Sequence, residues 1–543
     1  MTAQRKNEFL NNILQDASAR VSASLDAWAN PTPPRLLVNL PDLWGGDAEI
    51  GRHICTGKFV IGDQTWQAAQ GDAWSSTQLP EVWMAHIHSF EWLSHLRACG
   101  SDAARREARH HIERFITRYG LRPDTMNRPD IMARRVIQWL THFDFYGASA
   151  TYEFQLEVRR SLAQQIRQLM KSEAAPGLPS LTQAVALSLA GLAVEEQSAA
   201  YALGHLWLDS VIKDFIKAGG VATRSAQDAV ETLALLVTLR CAQLHSGVAV
   251  AENIKKSIDD LASTIRALRG ADKKLPLFQG SISGRVDCID QILKRADSRT
   301  RHNGASVMGY QKMSLGRTQL LVDCVALPSV DHDEHAHAAP LAIELWVGKD
   351  RVFTQCGSSP FLPPETQRAL RGTSAHSTLS MDDRNVCEVR AVGGLGRRYP
   401  TPQFQRWELE GGVMIEACHS GYQDLFGITH KRKLALLEEG ECLAGEDEIT
   451  SPAELLRPHY ATLRFHLHPR VQASLIQNDS EVLLRLPGNG GWRFSADGGP
   501  ITLEDSLYCG SGRTQPTTRI TITREMTEAE LSIPWVVQVE LPS

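Results

Sequence analysis

His332-Asp333-Glu334-His335-Ala336-His337 leads into Leu341-Ala342-Ile343-Glu344-Leu345, then Val352-Phe353-Thr354-Gln355-Cys356-Gly357, and finally Ala375-His376-Ser377-Thr378-Leu379. A His-rich turn is followed by strand-like segments and a further histidine. Imidazole binds borderline-soft divalent metals and titrates near neutrality, so clustered histidines serve as ligands, bases or both. An alternating strand would hold the His335/His337 pair at a fixed distance from His376. The competing reading is a solvated turn whose histidines have no task.

The periodicity changes on either side of this stretch. From about residue 82 to 270 apolar residues recur at helical spacing, with Val82, Trp83, Ile87, Phe90 and Leu93 on one stripe before Gly100. Helices are expected over 103–119, over 131–146 behind Asp130 as N-cap, and near 152–171, 181–193, 199–217, 225–245 and 252–268. Such a series forms a bundle, a solenoid or an α/α toroid, and the absence of a fixed repeat weighs against a regular solenoid. After about residue 300 the period becomes two, as in Gln319–Asp323, Val413–Glu416, Leu463–Leu467, Val482–Leu486, Arg519–Thr523 and Val536–Glu540. Turn signals at Gly411-Gly412, Asn478-Asp479 and Asp497-Gly498-Gly499 separate them, which predicts an all-β sandwich or layered sheet. Residues 270–305 are polar without strong periodicity, and 28–80 are rich in Pro, Gly and Trp.

Composition narrows the function. A chain of 543 residues, 43% hydrophobic and 22% charged, has room for one to three domains with substantial cores. A net charge of −5 argues against a general nucleic-acid binder. The short basic triplet Lys431-Arg432-Lys433 reads as the solvated face of a strand. None of the ten cysteines forms a C-x-x-C pair, which suits core thiols in a reducing compartment rather than a zinc finger or redox motif. Residues 1–30 show no signal-peptide core and no apolar run is long enough for a membrane span, so a cytoplasmic location is expected. No G-x-S-x-G, P-loop or dinucleotide fingerprint stands in a strand-helix context, so no nucleotide cofactor is expected.

With helices first and strands second around the His-rich turn, the chain resembles the bacterial heparinase II/III-like polysaccharide lyases. In the helical half the resemblance is carried by Phe90-Glu91-Trp92-Leu93 and Arg134-Arg135-Val136-Ile137-Gln138-Trp139-Leu140. In the β half it is carried by Gly309-Tyr310-Gln311-Lys312-Met313, Gly316-Arg317-Thr318, Ala336-His337-Ala338 and His419-Ser420-Gly421-Tyr422. Arg464-Phe465-His466-Leu467-His468-Pro469 and Gly491-Trp492-Arg493-Phe494 add to it, and Ala375-His376-Ser377-Thr378-Leu379-Ser380-Met381-Asp382-Asp383 is its most specific segment. The resemblance implies an incomplete α/α toroid followed by an antiparallel β-sandwich. The expected divisions are an irregular lead-in over 1–80, the toroid over 81–300 and the sandwich over 301–543.

It also implies a chemistry. Lyases of this type cleave beside a uronic acid by β-elimination: a base takes the C5 proton, an acid protonates the departing oxygen at C4, and the charge on the carboxylate is neutralised. The substrate is then an acidic glycan held in the cleft between the domains. By position, His335 matches a catalytic histidine, while His337 and His376 match two ligands of a structural zinc. The family's third ligand is an aspartate, for which this chain has Thr354-Gln355-Cys356-Gly357. In the helical half the family pattern Gly-Gly-His-x-x-Arg-Asn becomes Gly219-Gly220-Val221-Ala222-Thr223-Arg224-Ser225, so a histidine is replaced by Val221 and an asparagine by Ser225. Arg224 remains to neutralise a carboxylate, or else forms a surface salt bridge. No tyrosine stands near Leu275-Pro276-Leu277-Phe278. Tyr310 is the nearest downstream phenol, as proton-transfer group or core residue. Arg134, Arg135, His419 and Tyr422 are candidate substrate contacts. For His419 and Tyr422 the alternative is turn stabilisation. His466 and His468 form a possible chelating pair or a half-buried strand end, and Trp83, Trp92 and Trp139 are core residues or sugar platforms. The leading expectation is a carbon–oxygen lyase acting on an acidic polysaccharide or oligosaccharide. The alternatives are a non-catalytic glycan-binding relative and a structural or regulatory protein of envelope polysaccharide synthesis. Family members acting on external glycans set the cell envelope beside the cytoplasm as a location.

Overall fold

The computed structural model describes residues 35–540 except 38–39, 62–63, 69–73, 75–78, 119–127, 218, 478 and 489. The expected helix end at Tyr119-Gly120 and the turn residue Asn478 lie outside the described residues. Two compact units emerge. One comprises Met1–Phe215, Glu231–Ile258 and Asp290–Asp297; the other comprises Ile216–Val230, Asp259–Ile289 and Ser298–Ser543.

The first unit is helical. Its helices include Glu81–Ser89, Leu93–Cys99, Asp102–Arg118, Pro129–Gly147, Tyr152–Met170, Leu178–Ala193 and Ser198–Phe215. The stripe that reads as continuous from 82 to 99 is broken at Phe90, whose φ of 59° ends one helix before Leu93 opens the next. Pro129 stands at the start of its helix, where its missing N–H costs nothing, so Asp130 lies in the first turn rather than at the cap. Thr151 caps the next helix through the Phe154 amide. Two glycines let the helices Leu178–Ala193 and Ser198–Phe215 approach closely. A Cβ on Gly204 would lie 2.6 Å from Ser188 N, and one on Gly191 would lie 2.4 Å from Tyr201 N. Trp83, Trp92 and Trp139 are all buried. Phe90, Phe115 and Trp139 pack edge-on around one another, which settles these tryptophans as core.

The second unit holds two large antiparallel sheets. In spatial order the first runs Thr502–Tyr508, Gln515–Met526, His459–Leu467, Asp350–Thr354, Ile343–Val347, Thr318–Asp323, Tyr310–Leu315 and Ser306–Val307, with Leu379–Met381 also pairing onto His459–Leu467. The second runs Gln403–Leu409, Gly412–Tyr422, Ile428–Leu437, Cys442–Thr450, Glu530–Val539, Gly490–Ala496, Glu481–Leu486 and Gln472–Ile476. One apolar core joins them: Leu320, Leu345, Phe353 and Phe465 of the first sheet share it with Ile415, Leu434, Phe494, Trp535 and Val537 of the second. The Phe465 and Trp535 rings meet with centroids 4.8 Å apart. This is a β-sandwich, produced by the period-two alternation that puts every second side chain inside.

Two expectations are corrected here. A two-residue pairing of Ile216–Lys217 with Gly220–Val221 takes the last two residues of the helical run expected over 199–217 and part of the link beyond it. Lys431 and Lys433 face outward to Glu448 and Glu446, but Arg432 between them points inward and is buried, because alternation sends the middle of any strand triplet to the opposite face.

Candidate functional site

The histidines and Arg224 all fall within the second unit. The turn 330–337 is tied down by its neighbours rather than by regular structure. Asp333 is buried and accepts from Arg398 Nη1 at 2.5 Å and from the Leu395 amide at 3.1 Å. Arg371 reaches from Pro364–Leu370 and its C-terminal end to the Ala336 carbonyl at 3.0 Å. These clamps leave His335 exposed and turn His337 inward. Gly280, at φ +76°, lies directly under His335, and a side chain there would sit 3.1 Å from the His335 Cβ.

His337 and His376 come together as the sequence predicts, with ring centroids 4.8 Å apart and planes tilted by 44°. Both are buried, and burial pushes both imidazoles down, that of His376 to about 3. Gln355, at the end of the strand Asp350–Thr354, reaches the same place: its Oε1 lies 3.1 Å from His376 Nδ1 and accepts from the Ser377 amide at 3.0 Å. Cys356 does not join them; its sulfur lies 3.4 Å from His466 Nδ1. Among the described residues, no group of three or more His, Cys, Asp or Glu is placed to hold a metal.

Arg224 is not on a surface. It is buried at φ +58°, and its Nη2 donates to Asp323 Oδ1 at 2.5 Å while Nη1 donates to the Ala326 carbonyl at 3.0 Å. Its guanidinium lies 4.7 Å from the centroid of the Tyr310 ring, and the Tyr310 hydroxyl donates to the Arg224 carbonyl at 2.8 Å. Tyr310 also stacks on Phe278 at 4.8 Å, so a phenol does stand beside the position where the family tyrosine is expected. Burial raises that phenol's pKa far above its usual value, with the Arg224 charge opposing. Asp323 uses its second oxygen to accept from Gln279 Nε2 at 3.2 Å, and Gln279 Oε1 accepts the His337 amide at 2.9 Å. A chain of polar contacts thus runs Tyr310–Arg224–Asp323–Gln279–His337. Val221 is buried, and Ser225 caps the helix Ala226–His245 by accepting the Asp228 amide at 3.3 Å.

The four candidate substrate contacts are placed in the interior or in ion pairs. Arg135 is fully buried, donates to Gln165 and to the His88 carbonyl, and lies over the Phe115 ring. Arg134 is held between Glu91 at 2.7 Å and Glu231 at 3.1 Å. Tyr422 is buried with its hydroxyl on the Arg384 carbonyl. His419 faces the sandwich core as part of a relay. The Gly421 amide donates to its Nδ1, so Nε2 carries the proton and points to His430 Nδ1 at 3.1 Å, and His430 Nε2 donates to Asp447 at 2.6 Å. Burial works to raise the Asp447 carboxyl, but Arg432 and His430 outweigh it and hold it at about 2. Sequence reading missed Asp323, Gln279, His430 and Asp447. The signal available was a charged residue on the inward phase of a strand, which buries a charge unless a partner waits there.

The fold is an α/α toroid followed by a β-sandwich. Residues 297–536 match the family model "Heparinase II/III-like, C-terminal". Heparinase III is similar over 98% of this chain and 90% of its own at a TM-score of 0.75 and 13% identity. A heparan sulfate lyase from Pedobacter heparinus is similar over 98% of this chain and 90% of its own at a TM-score of 0.59 and 13% identity. These likenesses carry the fold alone: an incomplete α/α toroid followed by an antiparallel β-sandwich. A curated relative, "FtsZ-localized protein C" of Caulobacter vibrioides (strain NA1000 / CB15N), is 29% identical over 523 residues, covering 89% of this chain and 88% of its own.

Proposed function

We propose that this chain is a heparinase-fold protein that binds an acidic, uronate-containing saccharide without cleaving it, and that it acts where its relative's name points, with FtsZ. One observation carries this reading: the guanidinium of Arg224 is already committed to Asp323. β-Elimination needs a cation available to the substrate carboxylate as charge develops. Here that cation is neutralised, buried and pinned over Tyr310. Val221 cannot move a proton, and the Tyr310 hydroxyl is spent on a backbone carbonyl. A cytoplasmic location goes with this reading, since among the described residues the cysteines form no disulfide, as a reducing compartment favours. Among the described residues no helix is long and apolar enough to cross a membrane.

The test is to mix the full chain with a panel of acidic glycans while following heat of binding and the ultraviolet absorbance of an unsaturated uronate. Binding without new absorbance, together with co-sedimentation on FtsZ polymers, is the expected result. Steady growth of the absorbance overturns it. A second reading, a working lyase, is favoured by the exposure of His335, whereas His337 and His376 are buried. On that reading His335 transfers the proton, and His335→Ala lowers turnover by about 10²–10⁴-fold with the fold intact.

A further inference from the structure

We infer that Gln355 replaces a metal ion: the His337/His376 pair is a metal-free lock, and residue 355 alone decides whether this place takes zinc. The orientation of the Gln355 amide follows from its partners. The Ile343 carbonyl, 2.7 Å from Nε2, only accepts, and the Ser377 amide, 3.0 Å from Oε1, only donates. The oxygen therefore faces His376 Nδ1, which must carry the proton, and the lone pair of His376 resides on Nε2. His376 Nε2 and His337 Nδ1 are both buried with no hydrogen-bond partner. That leaves two neutral imidazoles and one amide oxygen that already accepts twice.

This donor set does not fit a structural zinc, which takes four ligands drawn from thiolate, imidazole and carboxylate. Among the described residues no third His, Cys, Asp or Glu joins the pair as a ligand, and the Arg371 guanidinium anchored on the Ala336 carbonyl adds positive charge next to His337. The amide instead does the mechanical part of a metal's work. It ties the start of the strand Ile343–Val347 to the His376-Ser377 turn. On the other side of that turn, Arg432 donates to the Ser377 and Leu341 carbonyls at 3.2 and 2.8 Å, and the Ser377 hydroxyl donates to the Thr354 carbonyl at 2.7 Å. At residue 355 itself the link is made by a neutral amide, where a carboxylate would require a cation to balance it.

The experiment compares wild type, Gln355→Asp and Gln355→Ala as full-length protein. Elemental analysis and thermal unfolding are run with zinc and with a chelator. Wild type is expected to purify without stoichiometric zinc and to melt at the same temperature with chelator, zinc or neither. Gln355→Asp is expected to melt lower than wild type in chelator and to recover on addition of zinc, because metal binding adds directly to folding free energy. Gln355→Ala is expected to melt lower without zinc rescue. Wild type that holds one zinc per chain and loses stability to the chelator overturns the inference, a result available even if neither variant folds. A folded Gln355→Asp that gains no zinc also overturns it, since residue 355 would then not be the deciding position.

Discussion

Arg224 and Asp323 form the contact on which most of the functional argument rests. Their side chains are 9% and 2% exposed, so little water screens the pair. Removing one partner leaves a buried uncompensated charge. Asp323→Ala is therefore expected to lower the unfolding free energy by about 3–5 kcal/mol in a urea titration. Replacing both, as Arg224→Met with Asp323→Leu, should restore much of that loss, since a well-packed apolar pair avoids the desolvation cost. Additive losses in the double variant would mean that the pair is not the unit described. Ser225 gives a smaller, independent check: as an N-cap its change to Ala should cost about 1 kcal/mol, with Asn close to neutral. The family resemblance singled out Arg224 as the arginine retained from Gly-Gly-His-x-x-Arg-Asn, but its partner lies 99 residues further on, a separation no local pattern spans. The same is true of His430 and Asp447, 17 residues apart and joined only by strand register. The meeting of His337 with His376 was legible because both lie in segments whose order carries a family resemblance.

Among the elements, long periodic segments were read well and short or interrupted ones were not. Tyr152–Met170 and Glu252–Leu268 fall within a residue of the expected 152–171 and 252–268, since their apolar stripes are uninterrupted. The helix Val286–Ala296 was passed over inside a polar stretch, although Ile289, Ile292, Leu293 and Ala296 are buried at helical spacing. Its eleven residues give the stripe little length, and Asp287, Asp290, Lys294 and Arg295 are interspersed with the apolar positions. Strand boundaries were underestimated, because alternation continues past the apolar centre into polar ends, as in Gln515–Met526 around the expected Arg519–Thr523. Glycine inside helices is the feature that propensity misjudges. Gly204 weakens its helix intrinsically, yet it allows the backbone of Ser188 to approach. Gly204→Val should therefore destabilise the helical unit by about 1–3 kcal/mol through overpacking, rather than stabilise it through the removal of a glycine. A thermal midpoint equal to or above that of wild type would falsify this packing account.

Across the whole molecule, the buried histidines couple stability to pH. Burial lowers His88, His376 and His466 to about 3, and His337 and His419 also lie well below the ordinary value. For His337 the neighbouring His376 and Arg371 charges act in the same direction, and for His419 His430 and Arg432 do so against the opposing Asp447. In the unfolded chain these groups titrate near 6.5. Between about pH 6.5 and pH 3 the unfolded chain therefore binds protons that the folded chain does not, and stability falls as pH falls through that window. Each histidine contributes up to about 1.4 kcal/mol per pH unit there. Glu344 acts oppositely: burial raises its carboxyl to about 7 against the pull of Arg351, so its neutral form favours the folded state as pH drops. These histidines outweigh that glutamate, and His142 and His468, each pushed down to about 4 chiefly by burial, act in the same direction. The Asp447 carboxyl, held at about 2, adds its loss only below the ordinary carboxylate range, which separates it from the histidine window. The urea midpoint is thus expected to fall from pH 7 to pH 5.5 and to change little between pH 7 and pH 8. A midpoint that holds steady or rises toward pH 5.5 would mean that these imidazoles accept protons without unfolding, and that the neutral hydrogen-bonded core described for them is not the state in solution.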